Sequence, residues 1–171
     1  MAAFVRLGWR ERLPALLDFF MADRRPAAWN QWAEVVGRDA RQPRFVGDMP
    51  HAWITSDFLR SLYDMFAYER RHDHALVLAA GIPAAWLKGP GVGIERLRTP
   101  YGELGYALRE RGGMLELRIE AGLTVPAGGL VLPWPYAGEA TGKAWLNGGP
   151  VAWRNGEITI HQLPATLHIE L

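Results

Sequence analysis

Six residues in the first third of the chain carry the side chains best suited to chemistry. Trp29, Trp32 and Glu34 fall in the run Trp-Asn-Gln-Trp-Ala-Glu, and Asp48, His51 and Trp53 in the run Asp-Met-Pro-His-Ala-Trp. Indole faces stack on the apolar C–H face of a ligand such as a sugar ring, while carboxylates and imidazoles read its hydroxyls. Asp48, His51 and Trp53 also lie just before or within the first turn of an expected helix, where backbone N–H groups lack helical acceptors. A second reading of the same residues stands beside this one. Trp29 and Trp32, three apart, pack a helix; Glu34 is a solvated carboxylate; His51 is a capping or loop residue with a satisfied hydrogen bond.

The elements that must position these residues follow from periodicity. Ile54, Phe58, Leu62, Met65 and Phe66 recur at three- and four-residue steps, which predicts an amphipathic helix over residues 54–70 with Asp57, Arg60, Asp64, Glu69 and Arg70 mostly off its apolar stripe. Upstream, residues 4–23 are rich in Leu, Phe and Val, with Pro14 inside the pattern. Proline removes a helical hydrogen bond, so a short first turn, a break near Leu13 and a second helix to about Met21 are expected. Residues 37–43 read as an exposed polar loop.

From His74 onward the period changes to two. Short apolar or alternating runs at residues 74–80, 91–98, 101–110, 114–120, 130–132, 143–146, 151–153, 157–160 and 166–171 are separated by Gly112-Gly113, Gly128-Gly129, Asn147-Gly148-Gly149 and Asn155-Gly156. Such punctuation predicts antiparallel strands. Ala84 to Leu87 reads as one helical turn, and Trp134, between Pro133 and Pro135 and followed by Tyr136, as a stiff aromatic corner. The expected fold is α+β: a helical segment over residues 1–73 followed by an antiparallel β-sandwich over residues 74–171.

Composition removes several classes of function. Nineteen basic against 18 acidic residues, a net charge of +1 and no run of like charge argue against nucleic-acid binding through a basic surface. The absence of cysteine excludes disulfide scaffolds and thiolate metal sites. Charged residues interrupt the N-terminal apolar run, so no secretion signal is read there, and no window approaches the roughly 20 apolar residues of a membrane span. His72-Asp73-His74 lacks a third ligand, so no metal site is expected. No cofactor is expected either. Eight Trp in 171 residues suggest that some line a groove or an interface.

Three stretches together resemble a known family. Trp29-Asn30-Gln31-Trp32-Ala33-Glu34, then Met49-Pro50-His51-Ala52-Trp53, then the order Leu115-Glu116-Leu117-Arg118-Ile119, Leu123-Thr124-Val125-Pro126, Leu130-Val131-Leu132-Pro133 and Ala144-Trp145-Leu146-Asn147-Gly148 are similar to the C-terminal end of (α/α)6-barrel glycoside hydrolases of the α-L-rhamnosidase-like kind. In that family the last barrel helices run directly into a C-terminal sandwich. The resemblance implies that residues 1–73 are the end of such a barrel. It makes Glu34 a catalytic general base or hydroxyl-binding carboxylate, with Trp29, Trp32, Asp48, His51 and Trp53 holding the carbohydrate. Glycoside hydrolysis needs two carboxyl groups; the second would lie upstream of this chain, Asp48 and Asp57 being the local alternatives. Asp48 is also expected to hold its loop or pair with Arg44. The chain alone would then be inactive, and its helical face would be covered by the rest of a barrel, by a partner chain, or by a second copy in a homodimer. The alternative is a non-catalytic glycan-binding or protein-interaction module.

Overall fold

Pro14 begins a helix rather than breaking one. It sits in the first turn of α2 (Leu13–Ala22), where the N–H it lacks would have had no helical acceptor. α1 (Ala2–Arg6) and a 3-10 turn (Arg10–Arg12) precede it, so the expected break near Leu13 is present. The computed structural model describes residues 1–35 and 47–171; the polar loop expected over residues 37–43, and Arg44 as a partner of Asp48, lie outside the described residues. The chain divides into two units, Met1–Asp64 and Met65–Leu171.

The first unit is helical. α3 (Ala52–Phe66) carries the expected stripe: Phe58 is buried and Ile54 and Leu62 are half-buried, whereas Asp57 and Arg60 face solvent and pair with each other at 3.0 Å. Val5, Leu13, Leu17, Trp32 and Phe58 supply the buried apolar side chains. Phe58 meets Phe20 and Trp32 with ring centroids 5.9 and 4.4 Å apart. Asp64 is buried, and Arg6 binds its carboxylate at 3.0 Å, which satisfies a charge that would be costly alone. Among the described residues no helix is long and apolar enough to cross a membrane.

α3 stops at Phe66, four residues before the helix expected from the sequence. Residues 67–70 form a strand instead, β1 (Ala67–Arg70). The cause is competition for the last helical carbonyls. The Phe66 carbonyl accepts the Ala79 N–H and the Tyr106 hydroxyl, both at 2.8 Å, and the Met65 carbonyl accepts the Gly81 N–H at 3.1 Å. With those acceptors taken by the turn after β2 (Ala75–Leu78) and by Tyr106, β1 pairs antiparallel with β2 from Ala67 opposite Leu78 to Arg70 opposite Ala75.

The second unit is a two-sheet β structure, which makes the chain α+β as expected. β3 (Val92–Thr99), β4 (Gly102–Arg111), β5 (Met114–Ile119), β6 (Leu130–Pro133), β7 (Ala144–Leu146), β8 (Gly149–Val151), β9 (Glu157–Ile160) and β10 (Ala165–Glu170) follow in order. One sheet runs β1-β2-β6-β9 and the other β3-β4-β5-β10-β7-β8. The alternation read in the sequence becomes buried cross-strand ladders: Leu108, Leu117 and Leu167 face one another across β4, β5 and β10. Pairing is antiparallel with one exception. β2 and β6 run parallel, Leu76 opposite Leu130, because the chain passes through β3, β4 and β5 of the other sheet between them and re-enters in the same direction. Ala84–Leu87 is a 3-10 turn, as expected.

Candidate functional site

The two chemistry-bearing runs meet within the helical unit through main-chain hydrogen bonds. The Glu34 N–H donates to the Asp48 carbonyl at 3.0 Å and the His51 N–H to the Trp32 carbonyl at 2.9 Å, while the Asp48 N–H donates to the Glu34 Oε2 at 3.1 Å. Gly47 permits this approach. Its φ is +60°, and a Cβ added there would run into the Glu34 carboxylate and come within 2.7 Å of the Glu34 Cβ. His51 directly precedes α3, and its carbonyl accepts both the Thr55 N–H at 3.2 Å and the Thr55 hydroxyl at 3.1 Å. The same Thr55 Oγ1 lies 2.9 Å from Gln31 Oε1, a further tie between the two runs.

Glu34, Asp48 and His51 thereby each offer a ligand atom within 4.8 Å of the other two. Both carboxylates are exposed and the imidazole is half-buried. Trp53 is 79% exposed, and its ring stands edge-on to His51 with centroids 5.9 Å apart. The result is a small polar cluster beside an accessible indole.

Trp32 requires a correction. It is only 5% exposed, its indole N–H donates to the Phe20 carbonyl at 2.7 Å, and its ring packs on Phe58. A buried indole has no free face for a ligand, so Trp32 is a packing residue that anchors the site from beneath. Trp29 has the opposite environment, at 60% exposed. It ends the 3-10 turn Ala27–Trp29, and Asn30, in the left-handed region at φ +50°, turns the chain after it. The two Trp therefore do not share one helical face. Among the described residues Trp29 makes no ring contact with the cluster.

Of the local alternatives for a second carboxylate, Asp48 lies beside Glu34 whereas Asp57 pairs with Arg60 on α3. A set of three possible metal ligands was not read from the sequence, since 14 residues separate Glu34 from Asp48 and no local spacing signals their convergence. In the second unit His72 lies 3.9 Å from Asp73 and is largely exposed. The aromatic corner is present there: Trp134 stands edge-on to Tyr136 and to Trp153, each at 5.2 Å, and the Tyr136 hydroxyl donates to Glu110 at 2.9 Å. Burial, followed by the neighbouring Glu110, pushes the Tyr136 phenol up.

Comparison with known proteins finds no matching family model, no similar curated protein and no similar solved structure.

Proposed function

We propose that the chain is the C-terminal portion of a carbohydrate-active, glycoside hydrolase-like enzyme, in which the helical unit forms one wall of a sugar site and the sandwich stabilises it. The observation that carries this reading is the convergence of Glu34, Asp48 and His51 beside the exposed face of Trp53. In this reading the indole stacks on a sugar ring and the three polar groups read its hydroxyls.

Turnover needs more than this wall. A general acid is held protonated in a desolvated pocket, and both Glu34 and Asp48 are exposed. The missing acid and the missing wall are assigned to further helices. Exposed apolar side chains support that assignment: Leu7, Trp9, Phe19, Met21, Trp29, Val35, Trp53, Leu59 and Tyr63 all lie in the helical unit, against Trp86 and Leu171 in the other. Leu13, Leu17 and Phe58, by contrast, are already buried within the unit. The same exposed side chains also fit the second reading, a module that docks on a glycan or a protein without chemistry of its own.

The test is a titration of the chain with a panel of neutral monosaccharides and short oligosaccharides, followed by Trp fluorescence and calorimetry. Saturable binding of a sugar, weakened at least tenfold by Trp53→Ala, supports the reading. Loss of binding in Trp53→Ala without loss of the native melting transition separates the site from the fold. No binding by any sugar, in the chain or in any larger native form that antibodies to the sandwich detect, overturns it, as does a native protein no larger than this chain.

A further inference from the structure

The geometry points to Glu34, Asp48 and His51 as a binding site for a first-row divalent cation such as Zn²⁺ or Mn²⁺. Two carboxylate oxygens and one imidazole nitrogen form a mixed donor set suited to these ions, and histidine is the commonest of their protein ligands. Three protein ligands with the remaining positions open is the arrangement of an ion that keeps water or an exchangeable ligand.

Ligands of one tetrahedral ion, with bonds of about 2.0–2.2 Å, lie about 3.3–3.6 Å apart. The three ligand atoms lie within 4.8 Å of one another, and both carboxylates are exposed, so side-chain rotations close the set. A cation between the two carboxylates relieves their mutual repulsion.

The main chain holds this arrangement without any ion. Glu34 and Asp48 are tied by their reciprocal hydrogen bonds, and His51 is tied to Trp32, which is locked in the apolar interior of the helical unit. The Glu34 side chain packs directly against the Gly47 backbone, where a Cβ would clash with it. The site is therefore organised before a ligand arrives, which lowers the ordering cost of binding. This inference goes beyond the glycan reading and does not depend on it, since the cation needs no sugar.

Calorimetric titration of the full chain with ZnCl₂ and with MnCl₂, without sugar and after dialysis against chelator, tests it. The expected result is one ion per chain for at least one of the two metals. Glu34→Gln and His51→Ala should each weaken binding at least tenfold. Asp48→Asn should do the same while keeping the backbone N–H that binds Glu34, so its fold is spared. His72→Ala, which removes the exposed imidazole beside Asp73, should leave binding unchanged. Absence of saturable binding, or equal affinity in the wild type and in Asp48→Asn and His51→Ala with native melting curves, overturns the proposal. Because Trp53→Ala should weaken sugar binding at least tenfold and leave cation binding unchanged, failure of either reading is distinguishable from failure of the other.

Discussion

Glu34 and Asp48 hold each other in both directions: the Glu34 N–H binds the Asp48 carbonyl at 3.0 Å, and the Asp48 N–H binds the Glu34 carboxylate at 3.1 Å. Residue 47 is the hinge of that arrangement. Gly47→Ala places a Cβ against the Glu34 carboxylate at a backbone conformation that costs an L-residue about 1–2 kcal/mol. The expected outcome is a melting temperature lowered by only a few degrees and cation affinity reduced at least tenfold. Calorimetry and a thermal melt on the same sample check both.

Trp29 and Trp32 should behave as opposites. Trp32→Ala removes a buried indole, its hydrogen bond to Phe20 and its contact with Phe58, and should cost about 3–5 kcal/mol. Trp29→Ala removes an exposed side chain and should stay within about 0.5 kcal/mol. Chemical denaturation of the two variants decides between these roles and the shared helical face that their spacing suggests.

Acid stability should depend on Arg70. Its guanidinium binds Asp73 at 2.8 Å and Glu157 at 2.6 Å, and these bonds push its own pKa up. The Arg70 hydrogen bond holds the Asp73 carboxyl below its usual range. A depressed folded-state pKa contributes stability that is present above the unfolded value of about 3.9 and is lost as pH falls through the folded value. Because Asp73 is partly exposed, Asp73→Asn should cost no more than about 1 kcal/mol at pH 7. It should also flatten the stability curve below about pH 4. Arg70→Met, which leaves both carboxylates without their guanidinium, should cost about 1–3 kcal/mol. Urea denaturation as a function of pH reads all three proteins.

Alkaline stability should depend on Tyr106. Burial pushes its phenol well up, and its hydroxyl donates to the Phe66 carbonyl. A raised folded-state pKa contributes stability that is fully present below the unfolded value of about 10 and is lost as pH rises toward the folded one. Tyr106→Phe should cost only about 0.5–1.5 kcal/mol at pH 7, since the carbonyl keeps the Ala79 N–H. It should remove part of the loss of stability above about pH 10. Thermal melts between neutral and alkaline pH test the sign.

The α+β class, the start of α2 at Leu13 and the strands β2 to β7, β9 and β10 were legible in the amino-acid sequence because each rests on local rules, whereas β8 begins at Gly149, inside the turn expected there. Alternation over a few residues, Gly and Asn-Gly turns, and a three- and four-residue apolar stripe act within one element. The candidate site was legible only as a set of residue types in two runs. Tertiary structure decided the rest. Residues 67–70 continue a helical pattern, yet the Phe66 carbonyl is claimed by Ala79 and Tyr106, so β1 forms. Trp32 and Trp29 differ because one indole reaches the interior beside Phe58 while Asn30 turns the chain between them. Glu34, Asp48 and His51 become one cluster through hydrogen bonds between residues 14 and more apart in the chain. Periodicity records which face of an element is apolar; it carries no information on which distant backbone groups will bond, and those bonds set both the end of α3 and the composition of the site.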